Sequence, residues 1–123
     1  METAIKSYRE LEIWKKGMEL VKMIYKITEN FPQKEVFGLA NQMRRAAVSI
    51  PSNIAEGQAR HYTKEFVQFL YQSLGSLAEL DTQTIIAENL NYINQQQEAE
   101  VENRIVQLQK MIHGLVKSLT TNH

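Results

Sequence analysis

The sequence predicts an all-α protein, an antiparallel up-down-up-down four-helix bundle. Proline and glycine are scarce, at 2 and 5 of 123 residues, which favours long helices over a fold with many turns. Apolar residues recur in alternating steps of three and four along four segments. Short linkers, over 31–34, 58–62 and 90–94, make consecutive helices antiparallel neighbours. Residues 1–123 are therefore predicted to form one domain, with an ordered core over about 8–119.

The first predicted helix covers residues 9–30 and has a wide apolar arc. Ser7 and Glu10 have the spacing of a capping box, which marks a helix start. Two adjacent stripes make up the arc: Trp14, Met18, Val21, Tyr25 and Thr28 in one, and Ile13, Gly17, Leu20, Ile24, Ile27 and Phe31 in the other. Trp14 and Tyr25 lie on this arc, so they are predicted to be core residues.

The second predicted helix begins near Lys34 and contains Pro51. Its apolar stripe keeps one register on both sides of the proline, through Val36, Ala40, Met43, Ala47, Ile50 and Ile54. Proline removes an N–H group and crowds the preceding turn, so we expect a helix kinked at Pro51. Ser49 and Ser52 are placed to satisfy the freed backbone groups. The alternative is two helices with a break between these serines. Gly57 is the expected C-terminal residue.

The third predicted helix has Thr63 as its N-cap and again carries a wide apolar arc. One stripe contains Phe66, Leu70, Ser73, Leu77, Leu80, Thr84 and Ala87, and its neighbour contains Val67, Tyr71, Leu74, Ala78 and Ile85. A glycine inside a helix costs about 1 kcal/mol relative to alanine, so Gly75 predicts a tight contact. The wide arcs of the first and third helices are candidates for contacts between subunits, or they simply bury more core.

The fourth predicted helix begins near Asn94, with Gln97 completing a partial capping pair. Its apolar residues form a heptad-like seam of Val101, Ile105, Leu108, Ile112, Leu115 and Leu119.

Composition and charge constrain the compartment and the partners. Cysteine is absent, there is no signal-like N-terminus, and no apolar run is long enough to span a bilayer, so we expect a cytoplasmic protein. The formal net charge is zero. Residues 1–64 nevertheless carry +4 and residues 65–123 carry −4, which suits either self-association or a local basic patch for nucleic acid.

No motif in the sequence predicts an enzyme. The histidines, at 61, 113 and 123, do not have metal-ligand spacing, and no phosphate-binding loop or nucleophile elbow is present. Glu79 and Asp81 are two apart on a helix and so face different directions. We therefore predict no catalytic residue, metal or cofactor.

The polar side of the second helix suggests an arginine surface for phosphate, with Asn53 as a hydrogen-bonding neighbour. The basic residues of this candidate nucleic-acid site are Arg44, Arg45, Arg60, Lys15, Lys22 and Lys26. The alternative is structural: Arg45, Asn53 and Glu56 bond across a helix or subunit interface and hold the kink. Three arginines are few for tight nucleic-acid binding.

Several stretches resemble the 23S rRNA intervening-sequence proteins, a four-helix bundle family. They are LEIWKKGMELV from residue 11, FPxxExFGL from 31, QMRRAAVSIPSNIAEG from 42, FxxFL from 66 and GSxxELxTQ from 75. Together they cover about residues 8–117. The family signature falls on Arg44, Arg45, Ser49, Pro51, Asn53, Glu56 and Gly57.

This resemblance implies a bacterial four-helix bundle that assembles into pentameric rings. Some members are encoded within intervening sequences of large-subunit ribosomal RNA genes. A related branch, the accessory variability determinant protein of diversity-generating retroelements, is basic and binds reverse transcriptase and nucleic acid. This chain differs from that branch in its zero net charge.

The sequence and the resemblance together predict a non-enzymatic homo-oligomer, expected to be a pentamer, that associates with RNA or a ribonucleoprotein. The alternative is a ring-shaped scaffold for protein interactions that does not bind nucleic acid directly. A contiguous basic surface favours the first hypothesis, and scattered charges favour the second.

Overall fold

Four helices run up and down along the chain, as the sequence predicts. The structure is a computed structural model and describes residues 7–121. The helices are α1 (Glu12–Thr28), α2 (Leu39–Gln58), α3 (Thr63–Asn89) and α4 (Gln95–Thr121). Two short 3-10 helices, Tyr8–Glu10 and Gln33–Glu35, precede α1 and α2 respectively.

A single apolar core lies between the four helices. Both α1 and α3 contact the two helices that lie beside them, α2 and α4. The inward-facing residues follow the predicted spacing because one helical face repeats every three to four positions. The largest fully buried side chains are Leu20, Ile24, Met43, Ile50, Ile54, Leu70, Leu77, Leu80, Val101, Ile105, Leu108 and Ile112. Every residue of this set belongs to one of the apolar stripes predicted from the sequence.

Both of the first two helices start later than predicted. The Ser7 hydroxyl accepts a hydrogen bond from the Arg9 N–H group at 3.1 Å, but this caps only a 3-10 turn. Leu11 is extended and buried, which separates that turn from α1. The predicted start of the second helix near Lys34 is also wrong, because Gly38 has a non-helical backbone and α2 begins only after it.

Pro51 lies inside a continuous α2, so the alternative of two separate helices is not observed. Its buried ring packs against Gly17 of α1, where an added Cβ would lie 3.4 Å from the Pro51 Cβ. Ser49 donates to the Ala46 carbonyl at 2.7 Å. Ser52 is exposed and has no side-chain hydrogen bond within residues 7–121, so it does not play the predicted backbone role. The bend at Pro51 remains a prediction.

The third helix begins at Thr63, but the N-cap position is Tyr62, one residue before the prediction. At the other end, α3 stops in a Schellman motif. Asn91 adopts a left-handed conformation with a φ of 65°. The Tyr92 N–H group then bonds to the Ala87 carbonyl at 2.9 Å, which satisfies a carbonyl left free by the helix end. This turn fixes the direction of Tyr92.

The predicted capping pair of α4 is confirmed. The Gln97 N–H group donates to Asn94 Oδ1 at 2.8 Å, and the Asn94 N–H group donates to Gln97 Oε1 at 2.9 Å. Each side chain thus satisfies a backbone donor of the other.

The close glycine contact is at Gly57, not at the predicted Gly75. An added Cβ on Gly57 would lie 2.6 Å from the Phe69 Cβ, whereas one on Gly75 would meet nothing within 4 Å. The α2–α3 contact is also held by polar groups, since the buried Ser73 hydroxyl donates to the Ile50 carbonyl at 2.9 Å. Small residues and serine hydroxyls therefore set the spacing of α2 and α3.

Among residues 7–121, every helix is too short or too polar for a bilayer-crossing segment.

Candidate nucleic-acid interface

The signature residues of α2 mainly serve packing within the chain. Pro51 and Gly57 are buried against α1 and α3 respectively. Ser49 Oγ lies 2.5 Å from Ser76 Oγ of α3. The Asn53 amide donates to the Ser49 carbonyl at 2.9 Å, a bond within α2 and not to a neighbouring helix of the bundle. Glu56 pairs with Arg60, four residues along the chain, at 3.0 Å.

Arg44 is turned towards α1 and is largely engaged there. Its Nε donates to Thr28 Oγ1 at 2.7 Å, and a terminal nitrogen lies 3.4 Å from the Tyr25 carbonyl oxygen. The guanidinium also lies 4.7 Å from the centre of the Tyr25 ring. A cation at the C-terminal end of a helix is favourable because it meets free carbonyl groups. Arg44 therefore joins α2 to the end of α1.

This contact corrects one prediction about the core. Tyr25 is 43% exposed, and its ring supports Arg44 on the surface. Trp14 is partly buried against the core, with its ring centre 5.5 Å from that of Tyr8. Both residues belong to the wide predicted arc, whose outer edge faces solvent.

Arg60 and Lys15 are paired with carboxylates. Arg60 lies 3.0 Å from Glu56 and 3.5 Å from Glu65, and its guanidinium is 4.8 Å from the Phe69 ring centre. Lys15 is 3.5 Å from Glu12. These carboxylates offset the charge that would attract phosphate.

Lys22 and Lys26 are exposed, and neither lines the two clefts that contain Arg45. Lys26 lines a cleft between α1 and α4 that also contains Glu100. Lys22 is exposed on the outer side of α1. The six predicted basic residues therefore occupy several faces of the bundle and form no single patch.

Arg45 is the exception, because it is exposed and lies between two clefts. Within residues 7–121 its side chain has no ion pair and no hydrogen bond. One cleft, of about 450 Å³, faces α1 and is lined by Tyr25, Asn41, Arg44, Arg45, Val48 and Ser49. The other, of about 490 Å³, faces α3 and is lined by Phe37, Asn41, Gln42, Arg45, Ala46, Ser49, Ser76 and Glu79. We call the second cavity the Phe37 cleft.

Phe37 stands at the mouth of this cleft and is 91% exposed. The loop that carries it is fixed by Glu35. One oxygen of the Glu35 carboxylate accepts from the Leu39 N–H group at 2.9 Å, and the other accepts from the Tyr92 hydroxyl at 2.8 Å. The Gly38 N–H group bonds to the Glu35 carbonyl at 3.0 Å. Phe37 is thus presented on an anchored turn.

The hydrogen bonds of Glu35 shift the pKa values of Glu35 and Tyr92 in opposite directions. Hydrogen bonds from the Leu39 N–H group first, and from Tyr92 second, lower the pKa of Glu35 below its ordinary value. The same Glu35–Tyr92 bond is the main cause that raises the pKa of Tyr92 above its ordinary value. Each bond favours the protonation state that makes it.

Acidic residues gather at a different place, between α3 and α4. Burial raises the pKa of Glu98, and the nearby charges of Glu102, Asp81 and Glu88 raise it further. Within the described part of the chain, no group of three or more histidines, cysteines, aspartates or glutamates is arranged to hold a metal ion. This surface adds negative charge to the α3–α4 side of the bundle.

An apolar groove runs along the surface where α1 meets the proline region of α2. It encloses about 350 Å³ and is lined by Tyr8, Trp14, Met18, Val21, Val48, Pro51, Ser52 and Ala55. Met18 and Val48 at its edges are 42% and 40% exposed. We call it the α1–α2 groove.

Sequence reasoning missed Phe37, Asn41 and Glu35 as parts of a site. Phe37 and Glu35 were predicted to lie in the second helix, but they lie in the connection between α1 and α2, where helical periodicity does not apply. The signal that was available is an exposed position for a large aromatic residue just before a glycine and a helix, in the FPxxExFGL stretch.

Comparisons with known proteins agree with the fold. Residues 9–114 match the family model described as "23S rRNA-intervening sequence protein". The structure is similar to that of a protein of unknown function from the S23 ribosomal protein family of Bacteroides thetaiotaomicron, with a TM-score of 0.77 at 22% sequence identity, over 85% of this chain and 98% of the other. No curated protein matches the sequence.

Proposed function

The chain belongs to the 23S rRNA-intervening sequence protein family, and from this premise we propose that it is a non-enzymatic, homo-oligomeric helical bundle that associates with RNA or a ribonucleoprotein. The observation that carries the proposal is Arg45, an exposed guanidinium beside a cleft that also offers an amide, a hydroxyl and an aromatic ring. Arginine donors bind phosphate oxygens, and amides and hydroxyls complete the contacts to a nucleotide.

The other basic residues support a small interface. Glu56 and Glu65 offset the charge of Arg60. Arg44 keeps its charge, but its Nε donor is engaged by Thr28 and is not available to a phosphate. One unpaired arginine at this site predicts weak binding by one copy, since nucleic-acid affinity sums over many phosphate contacts. A ring of identical copies would repeat the site around one axis and would raise the affinity through multivalency.

Salt-dependent RNA binding tests the proposal. We expect the intact oligomer to bind a fluorescent RNA oligonucleotide at about 50 mM salt and to lose affinity as salt rises. The variant R45A should bind more weakly, and the slope of log affinity against log salt should fall by about one per contact removed. R60A is the matched control, because two carboxylates already pair with Arg60. Undetectable binding by the wild-type oligomer at low salt would reject the proposal.

Self-association is the second part of the proposal, and the α1–α2 groove supports it. Its exposed apolar edges are typical of a surface that another protein covers. Residues 1–64 carry +4 and residues 65–123 carry −4, so the α1–α2 side of one copy is complementary to the α3–α4 side of another. A contact between different faces closes into a ring when the rotation permits, as a pentamer does.

A protein-interaction scaffold with no direct nucleic-acid binding is the second candidate function. The scattered placement of Lys15, Lys22, Lys26 and Arg60 favours it. Under this alternative, a specific partner protein remains bound to the oligomer after nuclease treatment, and R45A leaves that complex intact. Loss of the partner after nuclease treatment would favour RNA binding instead.

A further inference from the structure

The Phe37 cleft contains an aromatic side chain that is almost fully exposed to solvent, which is typical of a ligand-binding residue. Phe37 is 91% exposed, although the hydrogen bonds that the Leu39 N–H group and the Tyr92 hydroxyl donate to Glu35 hold its loop in place. Exposed aromatic rings on anchored backbone bind with little loss of conformational freedom, which is why they are frequent at recognition sites. The anchored turn therefore presents a flat apolar ring to solvent.

The other walls of the Phe37 cleft are polar and of mixed charge. Arg45 supplies positive charge, Glu79 supplies negative charge, and Asn41 and Gln42 supply amide donors and acceptors. A phosphate is attracted to the Arg45 side and repelled from the Glu79 side. A carboxylate and an amide together suit the amino and imino groups of a nucleobase edge.

These features distinguish unpaired from paired RNA. In a duplex, base faces are stacked and Watson–Crick edges are occupied, so Phe37 and the Glu79 wall would have nothing to contact. An unpaired base exposes both its face and its edge. The volume of about 490 Å³ is in the range of pockets that hold small organic ligands.

We propose that the Phe37 cleft binds one unpaired nucleotide of RNA, with the base stacked on Phe37, the base edge towards Glu79 and the adjoining phosphate on Arg45. This inference rests on the proposed RNA association and adds the class of RNA that the site takes. Loops, bulges and single-stranded ends provide such nucleotides, and continuous helices do not.

Fluorescence anisotropy with two probes tests the inference on the intact oligomer. The probes are a single-stranded RNA and a blunt duplex of the same length, both labelled at one end. We expect the single strand to bind more tightly. F37A should weaken single-strand binding about tenfold and leave the weak duplex binding unchanged, since one stacking contact is lost. F37W should retain single-strand binding because tryptophan also stacks.

Y62A is the matched control, because Tyr62 is 68% exposed and lies in the loop at the opposite end of the bundle. It should bind both probes like the wild type. Equal binding of both probes, with no effect of F37A, would overturn the inference and leave the proposed function standing. Failure of the wild type to bind either probe would overturn both. Dissociation of the oligomer by F37A, with RNA binding unaffected, would make Phe37 a contact between copies and would overturn the inference.

Discussion

Arg44 and Arg45 are neighbours in the sequence, yet their guanidinium groups have different surroundings. Successive residues of a helix point about 100° apart, so Arg44 reaches Thr28 and Tyr25 of α1 while Arg45 projects between two clefts. The sequence could place both on one polar surface but could not separate them, because the difference depends on where α1 ends. The position at which α1 ends relative to Arg44 depends on how α1 packs on α2.

Tyr92 and Glu35 form another residue-scale contact, and it predicts a measurable pKa. In Y92F the ring remains and the hydroxyl bond to Glu35 is lost. The pKa of Glu35 should therefore rise, but it should stay below its ordinary value because the bond from the Leu39 N–H group, the larger cause, persists. Carboxyl-carbon NMR titration measures this pKa. Y62F, at an exposed tyrosine, should leave it unchanged.

The same substitution should alter stability at acid pH. A lowered pKa means that the Glu35 carboxylate stabilises the fold above its ordinary pKa, and that this stability is lost as pH falls through the lower folded pKa. In Y92F the folded pKa is less depressed, so the stabilisation above the ordinary pKa is smaller and its loss is complete at a higher pH. Acid unfolding followed by circular dichroism should therefore occur at a higher pH. Identical acid unfolding of Y92F and wild type would show that the Tyr92 bond does not form in solution.

At the scale of elements, the four helices could be predicted because each buries a face with a regular period. The capping pair of Asn94 and Gln97 could also be predicted, since both partners lie within one turn. The starts of α1 and α2 could not be predicted from periodicity. Leu11 is extended and buried before α1, and the backbone of Gly38 is not helical before α2. The site escaped prediction for the same reason: Phe37 lies in a turn whose conformation depends on Tyr92, more than fifty residues away.

The α2–α3 contact predicts opposite effects for two glycine substitutions. G57A should lower the free energy of unfolding by about 1–3 kcal/mol, because its Cβ would overlap the Phe69 Cβ. G75A meets nothing within 4 Å and should raise it by about 0.5–1 kcal/mol through helix propensity. Urea unfolding followed by circular dichroism, at one fixed protein concentration, measures both. A stable G57A protein would mean that α2 and α3 are further apart than described.

At the scale of the whole molecule, the boundary between the two charged halves coincides with the start of α3. The α1–α2 hairpin therefore carries the positive excess and the α3–α4 hairpin the negative excess. The raised pKa of Glu98 has the same origin in part, since neighbouring carboxylates on α3 and α4 repel its charge. In the proposed oligomer, the positive hairpin of a second copy would relieve this repulsion. The apolar α1–α2 groove lies on that positive hairpin, so apolar burial and charge attraction favour the same contact.

Because the apolar groove and the positive charge lie on the same hairpin, we predict that this face contacts the acidic face of a second copy. Introducing a positive or a negative charge into the groove tests this prediction. Met18 is 42% exposed at the edge of the α1–α2 groove, so M18E and M18K should both fold, since neither changes the core. Both lose apolar contact, but only glutamate adds repulsion from an acidic neighbour. Size-exclusion chromatography with light scattering should therefore show M18E as a monomer at micromolar concentration, with M18K closer to the wild-type oligomer. Added salt should narrow the difference, because it screens exposed charges beyond about 10 Å at 0.1 M. Equal loss of assembly in the two variants would show that charge complementarity does not drive the contact. A monomeric wild-type protein would contradict the proposed oligomer.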